Sequence, residues 1–285
     1  MRRALAPIAA LVLVLGTVGS ATASSDASDD HAKLYYVSVG DSQAASVQPI
    51  GDPGNLYRTP DGYSEQLLAI GRERLPKLSL VKLGCPGETT ATMIDGGICS
   101  YPHGSQLDEA VSFLHAHGNH VAFVTIDLGA NDFPCNEERC IPAGVASIQA
   151  NLPAIIAALR EAAGPGVPIV GATLYNQFLA AWLLGPEGRA FAEYSETALM
   201  GPIDAMLREV FQATGADVAD VEGAFSSTDV TTLVDLPGAG TVPLNVARIC
   251  MWTWVCAKPP LGPNNHANHD GYGVMARAFA VTLGL

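Results

Sequence analysis

Four short blocks hold the residue types that do chemistry. They are Gly40-Asp41-Ser42, Gly84-Cys85-Pro86-Gly87-Glu88-Thr89-Thr90, Gly129-Ala130-Asn131-Asp132 and, near the C-terminus, His266-Ala267-Asn268-His269-Asp270-Gly271-Tyr272. A serine hydroxyl is a weak nucleophile at neutral pH and needs a base, which an imidazole supplies. A glycine that lets the backbone approach a substrate, and an asparagine with an N–H donor on a short side chain, can stabilise the oxyanion formed when a hydroxyl attacks a carbonyl. Together these are the parts needed for acyl transfer. Each block also has a plainer reading. Gly-Asp-Ser after a strand is a turn with a helix N-cap. Asn131 alone fixes a loop, and Gly87 alone is a turn glycine. His266 and His269 have the i, i+3 spacing of a metal pair, with only Asp270 nearby as a third ligand. Asp41 and Asp132 read as loop ties rather than reacting groups.

The elements that must position these blocks alternate between strand and helix. Apolar, β-branched runs predict strands over residues 34–39, 78–83, 121–128, 167–174 and 216–221. Helical spacing of apolar residues predicts helices over 62–74, 105–116, 148–163, 188–214 with a break at Gly201-Pro202, and 269–283. Residues 48–61, rich in Gly, Pro and Asp, read as a loop. This alternation predicts an α/β fold: a three-layer α/β/α arrangement with a mainly parallel five-stranded sheet covered on both faces. Ligands bind such sheets at the carboxyl ends of the strands. The first three blocks each follow a predicted strand, so they can converge at one edge.

GDS after the first strand, CPGETT after the second, GAND after the third and a late His-x-Asn-x-x-Gly-Tyr, in that order, make the chain resemble the SGNH (GDSL-type) hydrolase family of esterases and lipases. The resemblance extends over nearly all of the chain after its first residues, and the sequential cysteine pairs look like those of exported actinobacterial-type members. It implies a flavodoxin-like fold and a carboxylic ester hydrolase. Ser42 would carry the acyl group, and His266 would act first as base and then as acid. The N–H of Ser42, the N–H of Gly87 and the side-chain amide of Asn131 would form the oxyanion hole. It implies no cofactor and no metal, with water as the acyl acceptor. The family also includes carbohydrate acetyl esterases, which gives an alternative substrate class.

One departure from the family pattern stands out. The family usually carries Asp three residues before the catalytic histidine, and here that position is Pro263. The expectation is that a backbone carbonyl between Pro263 and Asn265 orients His266 by accepting its Nδ1–H. His269, the rival base, is wrongly spaced from Gly271-Tyr272. The missing Asp also motivates a second class, a catalytically inactive secreted binding protein; a third is a metal-dependent deacetylase or phosphodiesterase. Residues 178–184 (FLAAWLL) would either supply substrate-binding residues, Phe178 and Trp182, as acyl pocket or lid, or be buried core. Trp252 and Trp254 would border the same pocket or pack their own loop. The apolar segment tilts the reading toward lipid or fatty-acyl esters.

Composition narrows the remaining classes. With 48% hydrophobic and 15% charged residues, the chain is too apolar for a disordered protein. Its net charge of -13 speaks against nucleic acid, which needs clustered Lys and Arg, and against close approach to anionic membranes. Arg2 and Arg3, an apolar run over 4–18 and Ala21-Thr22-Ala23 read as a signal peptide over residues 1–23. Residues 24–32 read as a disordered lead-in, and 33–285 as a single domain. No later segment is expected to span a bilayer. The expectation is a secreted monomer acting on a small-molecule or lipid ester. Six cysteines in an exported protein read as disulfides; they allow 15 pairings. Their three close pairs suggest Cys85–Cys99, Cys135–Cys140 and Cys250–Cys256. None has the C-x-x-C spacing that would favour zinc.

Overall fold

Runs such as Leu-Tyr-Tyr-Val-Ser-Val-Gly and Val-Ala-Phe-Val-Thr-Ile-Asp are dominated by β-branched and aromatic residues, which suits strands buried on both faces of a parallel sheet. The computed structural model describes residues 33–49, 55–133 and 138–285. The expected signal peptide and lead-in lie outside the described residues. Along the chain the strands are β1 (Leu34–Gly40), β2 (Val47–Gln48), β3 (Tyr57–Arg58), β4 (Leu78–Lys82), β5 (Val121–Asp127), β6 (Ile169–Ala172), β7 (Asp217–Ala219), β8 (Leu233–Leu236) and β9 (Gly240–Pro243). The α-helices are α1 (Tyr63–Arg72), α2 (Thr90–Asp95), α3 (Gln106–His117), α4 (Ile141–Ala163), α5 (Pro186–Tyr194), α6 (Gly201–Ala213), α7 (Val221–Ala224), α8 (Leu244–Trp252) and α9 (His269–Leu283).

Five strands form one parallel sheet in the order β4-β1-β5-β6-β7. Val37 of β1 sits in register with Val81 on one side and Val124 on the other. The two-residue period of the strands divides their side chains between two cores. Val37, Val124 and Ile126 meet Met93 of α2, Leu114 of α3, Leu152 of α4 and Leu207 of α6. Tyr36, Phe123 and Val170 meet Leu67 of α1 and Phe279 of α9. Fully burying one such side chain stabilises the fold by about 1.5–3 kcal/mol. The result is the expected α/β/α fold.

Several elements differ from their sequence-based bounds. The break expected at Gly201-Pro202 lies instead in a π-helical turn, Ser195–Met200, between α5 and α6. Pro202 falls at the start of α6 directly after that turn, where its missing N–H interrupts the helical run of hydrogen bonds. Helix α4 begins at Ile141, earlier than the apolar spacing indicated. By length and composition it is apolar enough to cross a membrane, contrary to expectation, yet its buried face (Ile148, Leu152, Ile155, Leu159) packs into the core. The β8–β9 hairpin and α8 carry a small core of their own, made of Leu236, Val242, Val246 and Ala247. Cys85–Cys99 and Cys250–Cys256 are bridged as expected. Cys140 is disulfide-bonded, and its expected partner Cys135 lies outside the described residues.

Candidate active site

The site begins where β1 stops. Gly40 has φ +136°, and a Cβ there would lie 2.0 Å from the carbonyl oxygen of Asp127, so only glycine lets the ends of β1 and β5 close together. Gln106, from the first turn of α3, straps this junction from beneath. Its Nε2 donates to Gly40 O and to Glu88 Oε2, both at 2.9 Å, and its Oε1 accepts the Gly40 N–H at 2.6 Å. Ser42 sits in the turn that follows, and its carbonyl accepts the N–H of Val47 at 2.9 Å.

Gly87 follows β4 in the loop bridged by Cys85–Cys99. It has φ +84°, and a Cβ added there would meet nothing within 4 Å, so the backbone conformation rather than crowding calls for glycine. The N–H groups of Ser42 and Gly87 donate to no acceptor among the described residues. Asn131 follows β5. Its Nδ2 donates to Asp41 Oδ2 at 3.2 Å and to Glu88 O at 3.1 Å, which locks the amide on the strand ends. Asp132 behaves as a tie, as expected: its carboxylate accepts the Thr90 N–H at 3.0 Å, the Thr90 hydroxyl, and the Ser147 hydroxyl at 2.6 Å.

His266 lies on the loop between α8 and α9. Its Nδ1 is 2.8 Å from Asn264 Oδ1, and the same oxygen accepts the His266 backbone N–H at 3.0 Å. A backbone N–H can only donate, so the atom facing it must be the amide oxygen; Nδ1 therefore donates too, and the lone pair is left on Nε2. This corrects the expected backbone carbonyl: the orienting group is the side chain of Asn264. An Asx turn explains it, since an Asn side chain readily accepts from the backbone two residues on. Asn264 is itself fixed by its N–H donating to Trp254 O at 3.1 Å, while Trp254 N–H donates to His266 O at 3.0 Å, inside and beside the Cys250–Cys256 loop. Burial lowers the His266 pKa to about 4, so the imidazole is neutral at ordinary pH.

A side-chain strap joins the two halves of the site. Gln43, next to Ser42, donates from Nε2 to Tyr175 Oη at 2.5 Å and accepts the Ala267 N–H on Oε1 at 3.5 Å. The Tyr175 hydroxyl donates onward to Asn265 O at 2.6 Å. Both residues flanking His266 are thereby tied to the serine turn. Behind Ser42 two carboxyls are buried. Burial pushes Asp41 up to about 7, against the opposing pull of the Gln43 N–H, and burial reinforced by the charge of Asp41 pushes Asp127 well above the carboxylate range. Asp127 Oδ2 has no hydrogen-bond partner among the described residues.

Ser42, Gly87, Asn131 and His266 line one cavity of about 370 Å³. No hydrogen bond joins Ser42 to His266 among the described residues; such contacts are commonly long until substrate tightens them. A second cavity of about 270 Å³ also reaches Ser42 and Asn131, and its apolar wall includes Phe133, Leu174, Phe178, Met200 and Ile203. Of the two expected pocket residues, Phe178 lines this cavity and Trp182 lines neither. Residues 177–184 form a 3₁₀-helix, in which positions four apart point to different sides. Trp182 packs instead against the α8 side, with Arg189 over its ring. Trp252 packs on Phe225 and Arg248, away from both cavities. His269 Nδ1 faces Asp61 at 2.8 Å.

The parallel sheet and the residues gathered at its carboxyl edge define a hydrolase of the α/β/α type. The chain belongs to the GDSL-like lipase/acylhydrolase family, whose model matches residues 38–274. An alpha/beta hydrolase enzyme from the metagenome of Lake Arreo, Spain, is 19% identical and superposes with a TM-score of 0.51, covering 89% of this chain and 96% of its own. An acetylxylan esterase from Geobacillus stearothermophilus is 14% identical with a TM-score of 0.52, covering 88% of this chain and 94% of its own. At these identities the likeness establishes the fold. No curated protein sequence matches significantly.

Proposed function

We propose that this protein is a secreted carboxylic ester hydrolase that works through an acyl-enzyme on Ser42. The observation that carries the reading is the meeting of Ser42, Gly87, Asn131 and His266 around one cavity, with two backbone N–H groups there that donate to no acceptor among the described residues. His266, held through Nδ1 by Asn264, takes the Ser42 proton on Nε2 as the hydroxyl attacks the ester carbonyl. The Ser42 and Gly87 N–H groups stabilise the oxyanion, joined by the Asn131 amide once one of its two N–H bonds, to Asp41 Oδ2 or to Glu88 O, turns to the substrate; one such donor is typically worth about 3–4 kcal/mol in the transition state. The proton then passes to the departing alcohol, and water releases the acyl group by the same steps in reverse. Neither a cofactor nor a metal takes part, and the protein acts as a monomer. Disulfides at Cys85–Cys99 and Cys250–Cys256 support an oxidising compartment outside the cell.

The cavity without His266 has one wall of apolar side chains, Leu174, Phe178, Met200 and Ile203, opposite polar ones that include Gln43 and Asp127, and that apolar wall is the natural place for the acyl group. The cavity's volume of about 270 Å³ leaves room beyond an acetyl group and favours longer acyl esters over acetyl esters. Acetyl esters of carbohydrate remain the second reading, favoured by the likeness to a fold that in one relative serves an acetylxylan esterase. Hydrolysis of p-nitrophenyl esters of graded acyl length decides between them. The expected result is a rate that rises from acetyl toward chains of about six to eight carbons and vanishes in Ser42→Ala with the fold intact. A maximum at acetyl would support the second reading, and equal rates in Ser42→Ala would overturn both.

A further inference from the structure

The cavity on the histidine side carries a specificity feature of its own. His266 must hand its proton to the departing alcohol, so the alcohol part of the ester lies in the cavity of about 370 Å³ and the acyl part in the cavity walled by Leu174, Phe178, Met200 and Ile203. Arg58 lines the alcohol-side cavity together with Ser42, Leu56, Gly87, Asn131 and His266. With His266 neutral, Arg58 is the one charged side chain among the described residues of that wall at neutral pH.

Its setting makes the charge available. The guanidinium touches the Cys85–Cys99 bridge, with Nη2 3.2 Å from Cys99 Sγ, and among the described residues it has no carboxylate within ion-pair distance. In a chain with 28 acidic and 15 basic residues, an arginine that lines the same cavity as Ser42 and has no acid against it among the described residues is out of keeping with its surroundings. Its backbone is fixed with respect to Ser42. β3 pairs with β2, setting Arg58 opposite Val47, and the Val47 N–H is bonded to the Ser42 carbonyl. A guanidinium presents five donors in a planar fork and is always charged, which suits it to the oxygens of an anion.

We propose that Arg58 binds an anionic oxygen group on the alcohol part of the ester, so that the preferred substrates are acyl esters of negatively charged alcohols. The proposal rests on the ester-hydrolase reading and adds the class of leaving group to it. It is tested with two hexanoyl esters that differ in one group: that of 4-hydroxybenzoate, which is anionic, and that of its neutral amide, 4-hydroxybenzamide. The wild type is expected to favour the anionic ester in kcat/KM by about two- to fivefold, the scale of an exposed charge contact. Arg58→Gln should bring the anionic-to-neutral ratio to about one, Arg58→Glu should invert it, and Arg58→Lys should keep part of it. The ratio is taken within each variant, so a general loss of activity cancels. A wild type that hydrolyses both esters equally well, or a ratio that survives Arg58→Gln and Arg58→Glu, overturns the proposal and leaves the ester-hydrolase reading standing. A wild type that hydrolyses neither, nor the acetyl esters of the same two phenols, overturns both.

Discussion

Ser42 and Asn131 follow the ends of two central strands, and the turn and loop around them are pinned by buried side chains: Gln106 under Gly40 and Glu88, and the Asp132 carboxylate between Thr90 and Ser147. His266 stands on a loop with little regular structure, held by one Asx turn, one Gln–Tyr strap, one disulfide and a few backbone bonds to the segment around Trp254. On the proposed reading the donors and nucleophile are built into the sheet, whereas the base sits on a loop held beside it. Core-linked networks tolerate little displacement, while a loop held by a few contacts can shift when any one is lost. On the strand side a substitution should remove a chemical contribution outright. On the loop side it should misplace a group that is still present.

Substitutions at three positions separate these behaviours. The largest effect is expected on the strand side: Asn131→Ala should lower kcat about 10²- to 10³-fold with little change in KM, as loss of an oxyanion donor does. A loss below about tenfold would mean that the two backbone N–H groups suffice and that Asn131 only braces Asp41 and Glu88. Next comes Asn264. Asn264→Ala should reduce kcat about 10²-fold by freeing the imidazole to turn and change tautomer. Asn264→Asp should recover much of that rate. The aspartate would also raise the His266 pKa, because a carboxylate beside the ring favours its charged form. The base must be unprotonated to work. The wild-type rate should therefore hold as pH falls and drop only on passing through about 4, with the drop at a higher pH in Asn264→Asp. A wild-type acid limb near the ordinary histidine value of about 6.5 would contradict the buried, neutral imidazole. The smallest effect belongs to the strap: Tyr175→Phe should cost about tenfold in kcat through a small displacement of the base, measured alongside a melting temperature unchanged to within a few degrees. An unchanged kcat would show that the disulfide and the Asx turn hold the loop without it.

The same contrast explains what the sequence reveals. Ser42, Gly87 and Asn131 are legible because each follows a strand whose apolar run is unmistakable, and strand ends of a parallel sheet converge by topology. The α9 helix is legible to its bounds from the spacing of its apolar residues. The supports are not. Gln106 reaches Gly40 across 66 residues, and Tyr175 reaches Asn265 across 90, contacts that leave no periodic trace. Asn264 does leave a signal, an Asn two residues before the histidine with the reach of an Asx turn, but the family pattern points to position 263 instead. Trp182 reads as a pocket residue because its segment is continuously apolar; composition does not tell a 3₁₀-helix from an α-helix, and the difference turns the ring away. The β8–β9 hairpin and α8 are faint in the sequence because the strands are four residues each, the helix is nine, and their core is small.

The central claim is that Ser42 and His266 act as one nucleophilic unit although they are distant in sequence. The most direct measurement is covalent labelling by a p-nitrophenyl alkylphosphonate, followed by mass spectrometry of the digested protein. A single phosphonyl adduct on Ser42, forming quickly in the wild type and at least about 10³-fold more slowly in His266→Ala, is the expected result. An adduct on another residue, or a rate on Ser42 indifferent to His266, would contradict it.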